Sequence, residues 1–70
     1  MEYIDVSSSN IRAVGYDEAN SSMHVKFNSG SLYEYRNIPY YIYEGMLSAT
    51  SVGRYFHSHV KNSFTYVQLQ

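Results

Sequence analysis

The apolar residues change their spacing at Pro39, and that change divides the chain into two kinds of structure. Before it, Met23, Val25 and Phe27 alternate with His24, Lys26 and Asn28, the pattern of a strand with one face buried. Ile11 to Tyr16 and Leu32 to Arg36 have the same extended character, and Glu2 to Val6 alternates weakly over a shorter run. Polar segments separate these runs: Ser7 to Asn10, Asp17 to Ser22, and the glycine-containing turn Asn28-Ser29-Gly30-Ser31. Strands joined by short polar turns predict an antiparallel meander. After Pro39 the spacing becomes helical. Ile42, Met46 and Ala49 form one stripe, with Tyr40, Tyr43 and Leu47 beside it. Pro39 suits the first position of that helix, where its missing N–H costs nothing. Gly45 weakens the helix by up to about 1 kcal/mol relative to Ala, which close packing would explain. Thr50 or Ser51 is placed to cap a second helix, whose apolar face is Val52, Tyr55, Phe56, His59 and Val60, with Lys61 and Asn62 ending it. Thr65 to Leu69 reads as an extended tail suited to a further strand. The predicted fold is α+β, a three- to four-stranded antiparallel meander followed by two short helices packed on one face.

Seventy residues hold one core, so residues 1–70 form a single domain. A domain this small often relies on disulfides, metals or a partner chain. The chain has no cysteine, which leaves tight packing or self-association and makes a homo-oligomer an expected state. The N-terminal residues lack the basic and apolar regions of a secretory signal, and no run approaches the roughly 20 apolar residues of a membrane span. A cytoplasmic protein without a membrane partner is the expectation.

Net charge is −1, from five Lys and Arg against six Asp and Glu, and the pI is near 6.2. Proteins that track a duplex backbone usually carry a basic stripe. Here the basic residues stand singly, so binding to duplex DNA is not expected. A metal centre has little support either, because His57 and His59 diverge on a helix and His24 lies on a distant strand. His59, on the apolar face, reads as partly buried. No G-x-S-x-G elbow and no glycine-rich phosphate loop is present, and no cofactor is implied. These absences argue against an enzyme.

Two segments carry a binding signal. In Tyr33-Glu34-Tyr35-Arg36, the two tyrosines share one sheet face and Glu34 and Arg36 share the other. The rings are either core or, on an open face, a platform on which bases stack at about 1–3 kcal/mol each. In Thr50-Ser51-Val52-Gly53-Arg54, unpaired N–H groups at a helix start, a glycine permitting close approach and an arginine suit a phosphate or carboxylate. The alternative there is an ordinary cap with a solvated arginine. The chain has nine tyrosines, and a tyrosine serves a core, an interface or a pocket equally well. The candidate ligand-binding residues are Tyr16, Tyr33, Tyr35, Arg36, Ser51, Gly53 and Arg54.

The succession Ser8-Ser9-Asn10-Ile11, Val14-Gly15-Tyr16-Asp17, Val25-x-Phe27, Gly30, Tyr33-Glu34-Tyr35 and Ile38-Pro39 resembles the KTSC domain family. Ala49-x-Ser51-x-Gly53-x-Tyr55-Phe56 and the aromatic tail at Tyr66 extend the resemblance over roughly residues 7–69. It implies kinship with a domain found at the C-terminus of some lysyl-tRNA synthetases and as a stand-alone small protein in bacteria and phages. It also implies RNA binding as the role proposed for the family. Tyr33 and Tyr35 match that family's central Y-x-Y. Residues and resemblance together point to a binding module for a nucleotide or short single-stranded RNA, which would act by sequestering its ligand. The alternative is a protein-interaction or homo-oligomerising module with a tyrosine-rich interface.

Overall fold

A computed structural model describes all 70 residues. The alternating half forms β1 (Tyr3–Asp5), β2 (Ile11–Asp17), β3 (Ser22–Phe27) and β4 (Leu32–Tyr35). Two helices follow, α1 (Tyr40–Ser48) and α2 (Val52–His59), and the chain returns to the sheet as β5 (Tyr66–Gln68). The five strands pair antiparallel in the order β1-β2-β3-β4-β5. The meander and the two helices are thus as the sequence indicates, with short strands completing both edges. No helix is long and apolar enough to cross a membrane.

Register decides which side chains share a face. Tyr16, Met23, Tyr35 and Tyr66 lie in one cross-strand row, and Val14, Val25, Tyr33 and Gln68 in the next. Both rows lie on the side covered by the helices. Gly15, His24, Glu34 and Val67 form the intervening row on the opposite side. The register shifts between Ile11 and Ala13, leaving Arg12 as the extra, exposed residue of a bulge and returning Ile11 to the covered face. At the β3–β4 turn Gly30 has φ +100, a left-handed conformation a side chain would strain.

The core joins Ile11, Val14, Met23, Val25 and Tyr35 from the sheet to Ile38, Ile42, Tyr43, Met46, Val52, Phe56 and Val60. Pro39 is the cap of α1, one position before the place its chemistry favours, with extended φ and ψ of −62 and 144. Only part of each expected α1 stripe is buried: Ile42, Tyr43 and Met46 face the core, while Tyr40 and Leu47 are exposed. A nine-residue helix spans only two and a half turns, so one narrow face can reach a small sheet. Ser51 caps α2 by accepting from the Arg54 N–H at 3.3 Å. Gly45 is where the helices meet. A Cβ there would stand 2.8 Å from Tyr55 Cε2, so the Tyr55 ring occupies the space a side chain would need. His59 is exposed, contrary to its expected partial burial, because α2 ends at that residue and its ring rests against the outer side of Tyr55, centroids 4.3 Å apart.

Candidate functional site

The aromatic residues of β3, β4, β5 and α2 converge beneath one end of α2. Phe27 meets Tyr33 at 5.4 Å and Phe56 at 5.7 Å, both edge to face. Tyr33 and Tyr35 stack along β4 at 6.3 Å, and Tyr66 leans on both at 5.3 Å. Burial across this group is graded. Tyr35 is 3% exposed and edge-on to Phe56, Tyr33 is half-buried, and Tyr66 is 54% exposed. Burial, followed by the neighbouring Tyr66 and Tyr33 hydroxyls, pushes the Tyr35 pKa up to about 12, so this group stays neutral. Of the two readings of Y-x-Y, Tyr35 is core and cannot offer a free ring face. Tyr33 and Tyr66 remain as stacking surface.

These rings floor a cleft of about 500 Å³. One wall comes from the β1–β2 loop and the β3–β4 turn, with Ser9, Asn10, Asn28 and Ser31 on it. The Asn28 amide ties turn to loop by donating to the Ser9 carbonyl at 2.9 Å. The other wall is α2 and its exit, with Gly53, His57, Lys61 and Asn62. A second cleft of about 480 Å³ continues over the start of α2 between Ser7–Asn10 and Thr50–Arg54. Ser9, Asn10, Gly53 and His57 line both, so the two form one groove. At Gly53 an added Cβ would meet only Ser8 Oγ, at an ordinary 3.6 Å. Packing therefore does not require glycine there, and the missing side chain keeps the groove open between its halves. No Asp or Glu lines either half, whereas Arg54, Lys61 and His57 do.

Tyr33, Tyr35, Ser51, Gly53 and Arg54 are brought together along this groove, with Ser51 holding its start as the helix cap. Two candidates lie elsewhere. Arg36 projects with Glu34 from the far side of the sheet, its guanidinium 3.5 Å from the Glu34 carboxylate. Tyr16 lies at the other end of β2, where its hydroxyl donates to the Ile38 carbonyl at 2.6 Å. Sequence reasoning did not nominate Tyr66, His57, Lys61 or Asn28 as site residues. Tyr66 depends on β5 pairing beside β4, a contact with no local signal. His57 and Lys61 lie away from the apolar face of α2, and only the fold sets that side of the helix and its exit against the β3–β4 turn.

Residues 7–64 match the KTSC domain model. A lysine–tRNA ligase of Nostoc sp. is 39% identical over 59 residues, which is 84% of this chain but 10% of the ligase. The chain thus spans about a tenth of that relative's length. A protein of Stutzerimonas stutzeri is 38% identical over 80% of this chain and 79% of its own length. The crystal structure of a KTSC domain protein from Yersinia pestis superposes with a TM-score of 0.94 at 30% identity, covering 99% of this chain and 97% of that one. On sequence and fold alike, the chain belongs to the KTSC domain family.

Proposed function

We propose that this domain binds a nucleotide or a short single-stranded RNA in the groove, as a cytoplasmic binding module and not a catalyst. One observation carries the reading: an aromatic well runs without a carboxylate into a helix start lined by Arg54, with His57 and Lys61 alongside, in a chain whose net charge is −1. A base stacks on Tyr33 and Tyr66, and Asn62 offers its amide to the base edge, while Asn28, whose N–H groups are engaged by the Ser8 and Ser9 carbonyls, offers its carbonyl oxygen. The phosphate takes the α2 N-terminus and the Arg54 guanidinium. With few fixed cations at the groove, a ligand of one to three phosphates suits it better than a duplex. That lysine–tRNA ligases contain a related segment favours RNA as the source of the ligand. Sequestration of that ligand is then a sufficient role.

The test is a titration with adenosine monophosphate and with a single-stranded tetraribonucleotide, followed by amide chemical shifts at low and moderate salt. Arg54→Ala is expected to weaken binding about tenfold, the scale of one lost hydrogen bond to a charged group. The logarithmic salt slope is expected near −0.7 per phosphate held. Arg36→Ala, on the far face, is the control and should change nothing. Unchanged affinity in Arg54→Ala, Lys61→Ala and Tyr66→Ala would remove the reading.

A second reading rests on β5. This edge strand pairs only with β4, exposes Tyr66 and Val67, and is followed by the exposed Leu69. Unpaired edges invite another chain, so self-association along β5 is the alternative. Sedimentation across tens to hundreds of micromolar protein separates the two, since only the alternative requires a mass that rises with concentration.

A further inference from the structure

At the end of β2 remote from the groove, three tyrosines meet. The Tyr16 and Tyr43 rings stack at 5.2 Å with planes 23° apart. Tyr40 stands edge-on to Tyr16 at 5.4 Å and 71°, and tilted to Tyr43 at 5.8 Å and 51°. All three line a recess of about 410 Å³, completed by Glu2, Glu18 and Ser21, with no Lys, Arg or His among its walls. Packing α1 on the sheet accounts for Tyr43, which is 8% exposed, and for the half-buried Tyr16. It does not account for Tyr40, which is 52% exposed, or for two carboxylates beside the same rings.

The chemistry of these walls selects for charge. The face of an aromatic ring is the negative part of its quadrupole, and a cation placed over that face within about 6 Å of the ring centre is attracted to it. Tyr16 and Tyr43 each turn one face on the other, so the ring with most of its surface free for a cation is the exposed Tyr40, with the half-buried Tyr16 beside it. Glu2 and Glu18 add full negative charges, which repel phosphates and gain nothing from a neutral guest. Glu2 is close enough that its charge contributes, after burial and Tyr40, to raising the Tyr43 pKa, so that ring stays neutral. The Tyr16 hydroxyl is already engaged with the Ile38 carbonyl, which fixes the ring as a wall. A primary ammonium is strongly hydrated, and Glu2, Glu18 and Ser21 would have to replace that shell. A methylated ammonium, with greasy, weakly hydrated methyl groups carrying the charge, meets ring faces and carboxylates together.

We propose that the Tyr16–Tyr40–Tyr43 corner, closed by Glu2 and Glu18, is a recognition site for a quaternary ammonium group. It shares no residue with the groove and does not depend on what the groove binds. The test is an amide chemical-shift titration with tetramethylammonium chloride at constant ionic strength, with tert-butanol as an uncharged guest of similar shape. Saturable shifts are expected around Tyr16, Glu18 and Tyr40 with tetramethylammonium and not with tert-butanol. Tyr40→Ala and Glu18→Gln alter exposed side chains, and an otherwise unchanged spectrum verifies the fold. Tyr40→Ala should weaken binding at least fivefold and Glu18→Gln at least twofold. Shifts that never saturate, an equal response to tert-butanol, or a Tyr40→Ala variant that binds as well as the parent would overturn the site. Choline and an N-acetyl trimethyllysine amide then distinguish the sources. Tighter binding of the lysine derivative assigns the site to a side chain, and tighter or equal binding of choline assigns it to a free ammonium.

Discussion

One strand joins two recesses of opposite charge. At the Ile11 end of β2 the groove holds Arg54, Lys61 and His57 and no carboxylate. At the Tyr16 end the corner holds Glu2 and Glu18 and no cation. Both have aromatic walls, yet in the groove most rings serve the core, whereas in the corner Tyr40 is largely free. The difference teaches that a net charge of −1 describes neither place a ligand would meet. Over some 20 Å a surface potential can change sign, because screening limits each charge to about 8–10 Å. The near-neutral composition correctly disfavours a long basic track, but it carries no information on this local segregation.

The largest expected effect separates floor from rim inside the groove. Tyr35→Ala should lower unfolding free energy by about 3–5 kcal/mol, as for other buried aromatic truncations. Tyr66→Ala should cost under about 1 kcal/mol, and chemical denaturation measures both. Similar losses at the two positions would mean that the groove has no exposed aromatic rim. The same contrast has a pH signature. Tyr35 titrates near 12 in the fold and near 10 when unfolded, so above pH 10 the unfolded state binds fewer protons. Stability from this group is therefore complete below pH 10 and declines as pH rises towards 12, and Tyr35→Phe should flatten that decline.

Next in size is an exchange of charge between the two recesses. Lys61→Glu should weaken tetraribonucleotide binding at least tenfold and leave tetramethylammonium binding within twofold. Glu18→Lys should do the reverse. If either variant disturbs both ligands equally, the recesses are not independent. The smallest effect divides one residue in two. Tyr16→Phe removes the bond to the Ile38 carbonyl and should cost about 1 kcal/mol in thermal or chemical unfolding. Because the ring remains, ammonium binding should stay within twofold.

How much of this is legible in the chain depends on the range of the contacts involved. The change of spacing at Pro39 separates meander from helices because periodicity is local. The cap at Ser51 and the seat at Gly45 are readable for the same reason. The faces of β4 are also written in its alternation: Arg36 shares a side with Glu34, so it could not join Tyr33 and Tyr35 in one pocket. The groove itself is less legible. It needs β5 to return beside β4 after two helices, which places Tyr66 on Tyr33 across more than thirty residues. It also needs the end of α2 to hang over the β3–β4 turn, bringing Lys61 towards Asn28. Tyr16 is a candidate in both readings, but local pattern cannot tell which end of its strand meets which loop.

The seat of Tyr55 against Gly45 means that the width of the groove is governed from behind. Gly53, Phe56 and His57 face the groove, while Tyr55 sets how closely their helix approaches α1. A methyl group at position 45 would unseat that ring without touching any lining residue. The shape of the groove can therefore drift with a residue that does not line it, and substitutions that retune this groove belong as much on α1 as along its walls.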